Sequence, residues 1–139
     1  MVTLASLVER ETSVASERAL VAGVLLQRLR TGMRLQCDAS IQYARERALA
    51  RGTLPIGHKE RLLFSDLKID SPYNTYQNAG LPPGPICNPG KDSLHAAAAP
   101  QNTDKLFYVM SPKLGRHLFA KTFAEHGRNI RIVKAERAP

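Results

Sequence analysis

Residues 4–31 read LASLVERETSVASERALVAGVLLQRLRT, and their apolar spacing lays one helix against another. Leu4, Leu7 and Val8 stand at i, i+3 and i+4, the stripe of an amphipathic helix. At 3.6 residues per turn Glu11 continues that stripe, while Glu9 points to the opposite side. Thr12, Ser13 and Ser16 interrupt the pattern, and Ser16 is expected to cap a second helix running to Thr31, with Gly32 as its stop. ERALVAGVLLQRLR is apolar nearly all round. It is therefore expected to be the central buried helix, with Gly23 permitting close approach of a neighbour.

Downstream, MRLQCDASIQY alternates apolar and polar residues from Met33 to Tyr43. The alternation predicts a short strand over 33–37. Asp38 is then a candidate N-cap for a charged, Ala-rich helix to Arg51 stopped by Gly52. Residues 53–60 read as an exposed loop, and Ser65 as the cap of a short helical turn before Asp70. DSPYNTYQNAGLPPGPICNPG then packs five prolines and three glycines into 21 residues. Such a stretch makes a rigid, ordered wall, and its Tyr and amide side chains suit stacking on sugar rings and bonding their substituents. A loop that merely covers a sheet edge would look the same. KDSLHAAAA is a short helix ended by Pro100. KLFYVM and RHLFAK form a hairpin around SPKLG, and Thr122 with Glu125 makes a capping box for the last helix. The fold class expected is α+β, with helices and short antiparallel strands in one domain over 1–139.

Composition bounds the function. The 139 residues are 43% hydrophobic and 23% charged, as in an ordinary folded domain with a real core. Twenty Lys and Arg against twelve Asp and Glu give a net charge of +8, which favours polyanionic surroundings. Nucleic acid is disfavoured as a partner: the basic residues are scattered, aromatics are 6%, and zinc-finger, RNP and GXXG patterns are absent. Cys37 and Cys87 make no CxxC spacing and read as buried free thiols. The four histidines show no ligand spacing, so no metal is expected; without a P-loop or GxGxxG, no cofactor is expected either. The apolar run 20–26 is too short to span a membrane, and the N-terminus carries no secretion-signal pattern.

Glu11 is the chemically informative residue. A carboxyl group on a buried face is disfavoured when charged, so its pKa rises toward values useful for proton donation near neutrality, as glycosidic bond cleavage requires. Periodicity alone leaves open that Glu11 only ends its helix, paired with Arg18 or Arg28.

LASLVERETSVASERALVAGVLLQRLRTGMRLQCDASIQY, SPYNTYQNAGLPPGPICNPGKDSLHAAAAP, DKLFYVM and HLFAKTFAEH resemble, in order and over almost the whole chain, signature segments of the endolytic murein transglycosylase family, also called MltG or YceG-like. The resemblance implies a periplasm-facing enzyme of the bacterial inner membrane. Such an enzyme cuts the β-1,4 bond between N-acetylmuramic acid and N-acetylglucosamine without water, leaving 1,6-anhydromuramyl ends. It implies Glu11 as the catalytic acid, the second Glu of E-x-E-T. Gln36 and Asp38 fall in a motif near the cleft; Asn74, Thr75 and Tyr76, with Pro83 and Asn88 of the 80–90 loop, would line it. Glycan strands of peptidoglycan are the implied substrate, and wall synthases the implied partners.

Two alternatives stand beside it: a hydrolytic muramidase using Glu11 and Asp38, and a non-catalytic glycan-binding module. The family's RLQTDP reads RLQCDA here, with Cys37 for Thr and Ala39 for Pro. A family Ala is replaced by Cys87, and a Cys37–Cys87 bridge is conceivable in an oxidising compartment. Family members carry a membrane anchor and a LysM-like domain ahead of this region, so the expectation is a catalytic domain alone.

Overall fold

The computed structural model describes residues 1–52 and 62–139; the loop expected over 53–60 lies outside the described residues. Helix α1 is Val2–Glu11 and buries Leu4, Leu7 and Val8, the stripe read from the sequence, together with Ala5 and Ser6. It stops where Thr12 turns extended and its hydroxyl accepts the Val14 N–H at 3.0 Å. Helix α2, Arg18–Thr31, follows a 3-10 turn at Ala15–Glu17. Ser16 sits inside that turn and does not cap α2; Glu17 takes the preceding position.

Gly32 ends α2 at φ 74°, a left-handed conformation that glycine adopts without a Cβ clash. The Met33 N–H returns to Arg28 O at 2.9 Å. The middle of α2 is buried, as expected of a central helix. A Cβ on Gly23 would stand 2.0 Å from Gln101 O, and Gln101 N–H is bonded to Ala19 O at 2.9 Å. Glycine here lets the chain cross directly over the helix.

Segment 33–37 forms no strand. Its side chains do alternate, Leu35 and Cys37 inward, Arg34 and Gln36 outward, but among the described residues no strand pairs with it, and Gln36 at φ 51° breaks the extended run. Its backbone is held otherwise: Gln36 N–H donates to Thr75 O at 3.2 Å, Cys37 N–H to Thr75 Oγ1 at 2.9 Å, and the Arg34 and Leu35 carbonyls accept from Arg28. Helix α3 is Asp38–Ala50, so Asp38 is its first residue and Cys37 the capping one. A 3-10 turn at Phe64–Lys68 contains Ser65; Asp66, not Ser65, accepts the Leu63 N–H at 2.7 Å.

The Pro- and Gly-rich stretch is a wall made by side chains. Buried Asn74 donates to Leu67 O at 3.0 Å and Ile69 O at 2.8 Å, and accepts from Tyr76 N–H at 2.9 Å. Its second half covers helix α1, where a sheet edge was the alternative. Ile86 enters the core, its N–H bonds Ser6 Oγ at 3.0 Å, and the Cys87 thiol contacts Ser6 O at 3.4 Å. Cys37 and Cys87 are both free thiols.

Helix α4, Lys91–Ala98, packs on α1 and α2. Strands β1, Phe107–Ser111, and β2, Arg116–Ala120, form the expected antiparallel hairpin, with Tyr108 opposite Phe119 and Met110 opposite His117. Helix α5, Phe123–Arg137, starts as predicted: Thr122 Oγ1 accepts Glu125 N–H at 3.2 Å, though Glu125 reaches back to the N–H of Lys121 rather than Thr122. The result is an α+β domain whose core joins α1, α2 and α4 to Leu35, Cys37 and Ile86.

Candidate active site

A cleft of about 260 Å³ opens between the end of α1, segment 33–38 and the hairpin with α5. Glu11, Arg28, Leu35, Gln36, Asp38, Tyr76, Phe107, Tyr108, Phe123 and His126 line it. Because α1 presents one face to the core, its two last acids part company: Glu9 accepts the Ser93 hydroxyl of α4, and Glu11 turns to the cleft. Glu11 Oε2 accepts the Tyr108 hydroxyl at 3.0 Å. Oε1 is buried and, among the described residues, meets no partner in good hydrogen-bond geometry, the Cys37 thiol being the donor beside the carboxyl group. Burial raises the Glu11 pKa above its ordinary value; the Tyr108 bond opposes this, Asp38 adds to it, and the neighbouring Cys37 thiol and His117 oppose it. Neither arginine proposed as a structural partner takes that role. Arg18 reaches Asp92 at 4.0 Å, and Arg28 bonds the carbonyls of Leu106, Arg34 and Leu35.

Asp38, exposed at the head of α3, accepts the Tyr76 hydroxyl at 2.5 Å. Burial, then that carboxylate, push the Tyr76 phenol upward, so it stays a neutral donor. Tyr108 is likewise held protonated, by burial first and Glu11 second. The facing wall is aromatic. Phe107 stacks on His126 at 5.0 Å, meets Phe123 edge-on at 5.9 Å, and carries the Arg28 guanidinium 5.2 Å from its ring centre. Burial and Arg28 lower the His126 pKa, which keeps this wall's imidazole neutral.

Of the residues singled out from sequence, the structure brings Glu11, Gln36, Asp38 and Tyr76 together in the cleft. Asn74 and Thr75 are buried behind it, one shaping the loop, the other bonded to Cys37 N–H and 2.8 Å from Ser40 Oγ. Pro83 and Asn88 are exposed and outside the cleft lining, because Ile86 and Ser6 fasten their loop to α1. Phe107, Tyr108, Phe123 and His126 went unpredicted. The hairpin signal was legible, but the face it turns toward α1 is a tertiary matter.

The profile of the YceG-like family matches residues 1–132. The chain belongs to the YceG-like family. It is 41% identical over 128 residues to the endolytic murein transglycosylase of Bacillus subtilis, covering 92% of this chain and 32% of that protein. A Streptococcus pneumoniae protein of the same name is 35% identical over 133 residues, with 94% and 23% covered. The crystal structure of a YceG-like protein from Listeria monocytogenes superposes with a TM-score of 0.79 at 40% identity, over 91% of this chain and 38% of that one. The YceG-like chain thus spans 23–38% of the length of these relatives. Among its described residues no helix is long and apolar enough to cross a membrane.

Proposed function

We propose that this YceG-like chain is the catalytic domain of a peptidoglycan lytic transglycosylase, with Glu11 as its acid and then its base. One observation carries the proposal: a largely buried carboxyl group with a raised pKa stands in the cleft, one of its oxygens held by Tyr108. Its relatives' name, endolytic murein transglycosylase, agrees with that chemistry.

In the proposed reaction protonated Glu11 gives its proton to the glycosidic oxygen as the bond to the muramyl anomeric carbon breaks. The C6 hydroxyl of the same sugar forms the new bond to that carbon and returns its proton to Glu11. A nucleophile already tethered in the substrate brings the advantage of an intramolecular step, so no protein nucleophile is needed. Asp38, fixed by Tyr76, supplies negative charge as cationic character develops at the anomeric carbon. Gln36 offers its amide to the sugar substituents. Asn74 and Thr75 act by holding the loop and the 36–37 backbone, and Pro83 and Asn88 take no part at this cleft. The working place in this proposal is the periplasmic face of the inner membrane, beside the wall synthases.

Mass analysis of isolated glycan strands after incubation with the chain tests the proposal. Anhydromuramyl ends are expected. Reducing ends would transfer the function to a muramidase pairing Glu11 with Asp38, a reading favoured only by their sharing one cleft. Intact strands would leave a binding module.

A further inference from the structure

Behind the cleft lies a buried Glu–His contact that the proposed chemistry does not use. Glu17 and His117 are 7% and 8% exposed. Glu17 Oε2 meets His117 Nδ1 at 2.6 Å, and Oε1 accepts the His117 backbone N–H at 2.7 Å. The Thr12 hydroxyl, one residue beyond Glu11, donates to Oε2 at 3.3 Å. A buried polar contact of this kind is weak evidence of a contribution to stability, because desolvation offsets the attraction. What the imidazole touches is more informative.

Its ring stands edge-on to Tyr108, centroids 5.4 Å apart and planes at 89°. Phe119 closes the cluster at 6.2 Å from His117 and 5.9 Å from Tyr108. Tyr108 in turn ends on Glu11. Glu17 is therefore joined to Glu11 twice: along the backbone through Thr12, and through space by way of His117 and Tyr108. The loop so closed ties the end of α1 to the hairpin.

We infer that Glu17 and His117 are positioning residues for the reaction proposed above. Clamped to each other, they fix the Tyr108 ring so that its hydroxyl stays on Oε2 of Glu11 and holds the carboxyl group in the cleft for the glycosidic oxygen. The inference rests on Glu11 being the acid, and it has a readout that needs no substrate. The titratable and charged groups around Glu11 include Tyr108 from β1, Cys37 from the 33–37 segment, Asp38 from α3, His117 from β2, Tyr76 from the Pro- and Gly-rich wall and, in the same cleft lining, Arg28 from α2. Tyr108 and His117 both lower its pKa, so loosening the clamp lets burial raise it further.

The experiment follows the Glu11 carboxyl carbon by NMR titration in the full chain, alongside kcat and KM on glycan strands. Glu17→Gln should move the Glu11 midpoint up by about one unit and lower kcat about tenfold with KM within about twofold. In a Tyr108→Phe background the same substitution should add less than about a third of that titration shift, because the coupling runs through the lost hydroxyl. His117→Asn, which keeps an N–H for Glu17, should recover part of the kcat lost in His117→Phe. A lower Tm with an unmoved Glu11 midpoint, an equal shift in both backgrounds, or no recovery by His117→Asn would each overturn the clamp. Absence of any anhydromuramyl product from the unaltered chain would instead sink the proposed reaction, and the titration would still decide whether Glu17 acts on Glu11.

Discussion

At the scale of single residues the molecule turns on one carboxyl group kept out of water. Glu11→Gln should lower the cleavage rate at least about a hundredfold, since an amide cannot donate and recover the proton; release of anhydromuramyl ends measures it. The same change should stabilise the fold at neutral pH. Glu11 has a folded pKa above its ordinary 4.5, so the native state holds its proton longer than the unfolded chain does. Below that ordinary value both states are protonated and nothing is lost. As pH rises through the folded pKa, the native protein must ionise a buried group and loses stability. Thermal melts of the two proteins should therefore coincide in acid and separate with increasing pH, the Gln variant being the higher. That Glu11 continues the inward stripe of α1 was legible in the sequence because helical periodicity is local. Its partner Tyr108, 97 residues away, was not, because only folding brings them together.

Among the elements, two joints depend on contacts far apart in sequence. The first is the 33–37 segment, whose alternation imitated a strand. Alternation marks any extended chain; a ladder also needs a partner edge, which lies elsewhere in sequence or nowhere. Here Thr75 replaces that edge. Thr75→Val keeps the shape but strands the Cys37 N–H, and should cost about 1–3 kcal/mol in urea unfolding. It should also lower kcat as Gln36 and Asp38 lose their footing. The second joint is the crossing at Gly23. With Gln101 O already where a Cβ would stand, Gly23→Ala should destabilise by about 1–3 kcal/mol through overpacking, read from the same unfolding curves. Both helices of the opening stretch, the hairpin and the last helix were legible from periodicity, Gly stops and a Thr cap. Their mutual docking was not, nor was the use of the GLPPGPICNPG loop to brace α1.

Across the whole molecule, charge and chain layout set the remaining behaviour. A net charge of +8 should draw the domain to carboxylate-bearing wall strands. Raising NaCl from about 0.05 to about 0.5 M should increase KM several-fold and leave kcat nearly unchanged, as screening weakens encounter but not the buried chemistry. Steady-state assays across that series would show it. The core draws on α1 near the start of the chain and on α4 and Ile86 some 80 residues later, so neither half has a complete interior alone.

Gln36 has one further consequence. Its backbone sits at φ 51°, the one non-glycine residue with positive φ among those described, a conformation costing an L-residue about 1–2 kcal/mol. Gln36→Gly would relieve that strain and should give a hardier protein. It would also strip an amide from the cleft lining and, under the proposed reaction, should lower kcat. Selection for heat tolerance alone would then drive this position toward glycine, and selection for wall cutting would drive it back, so robustness and activity pull against each other at a single backbone angle.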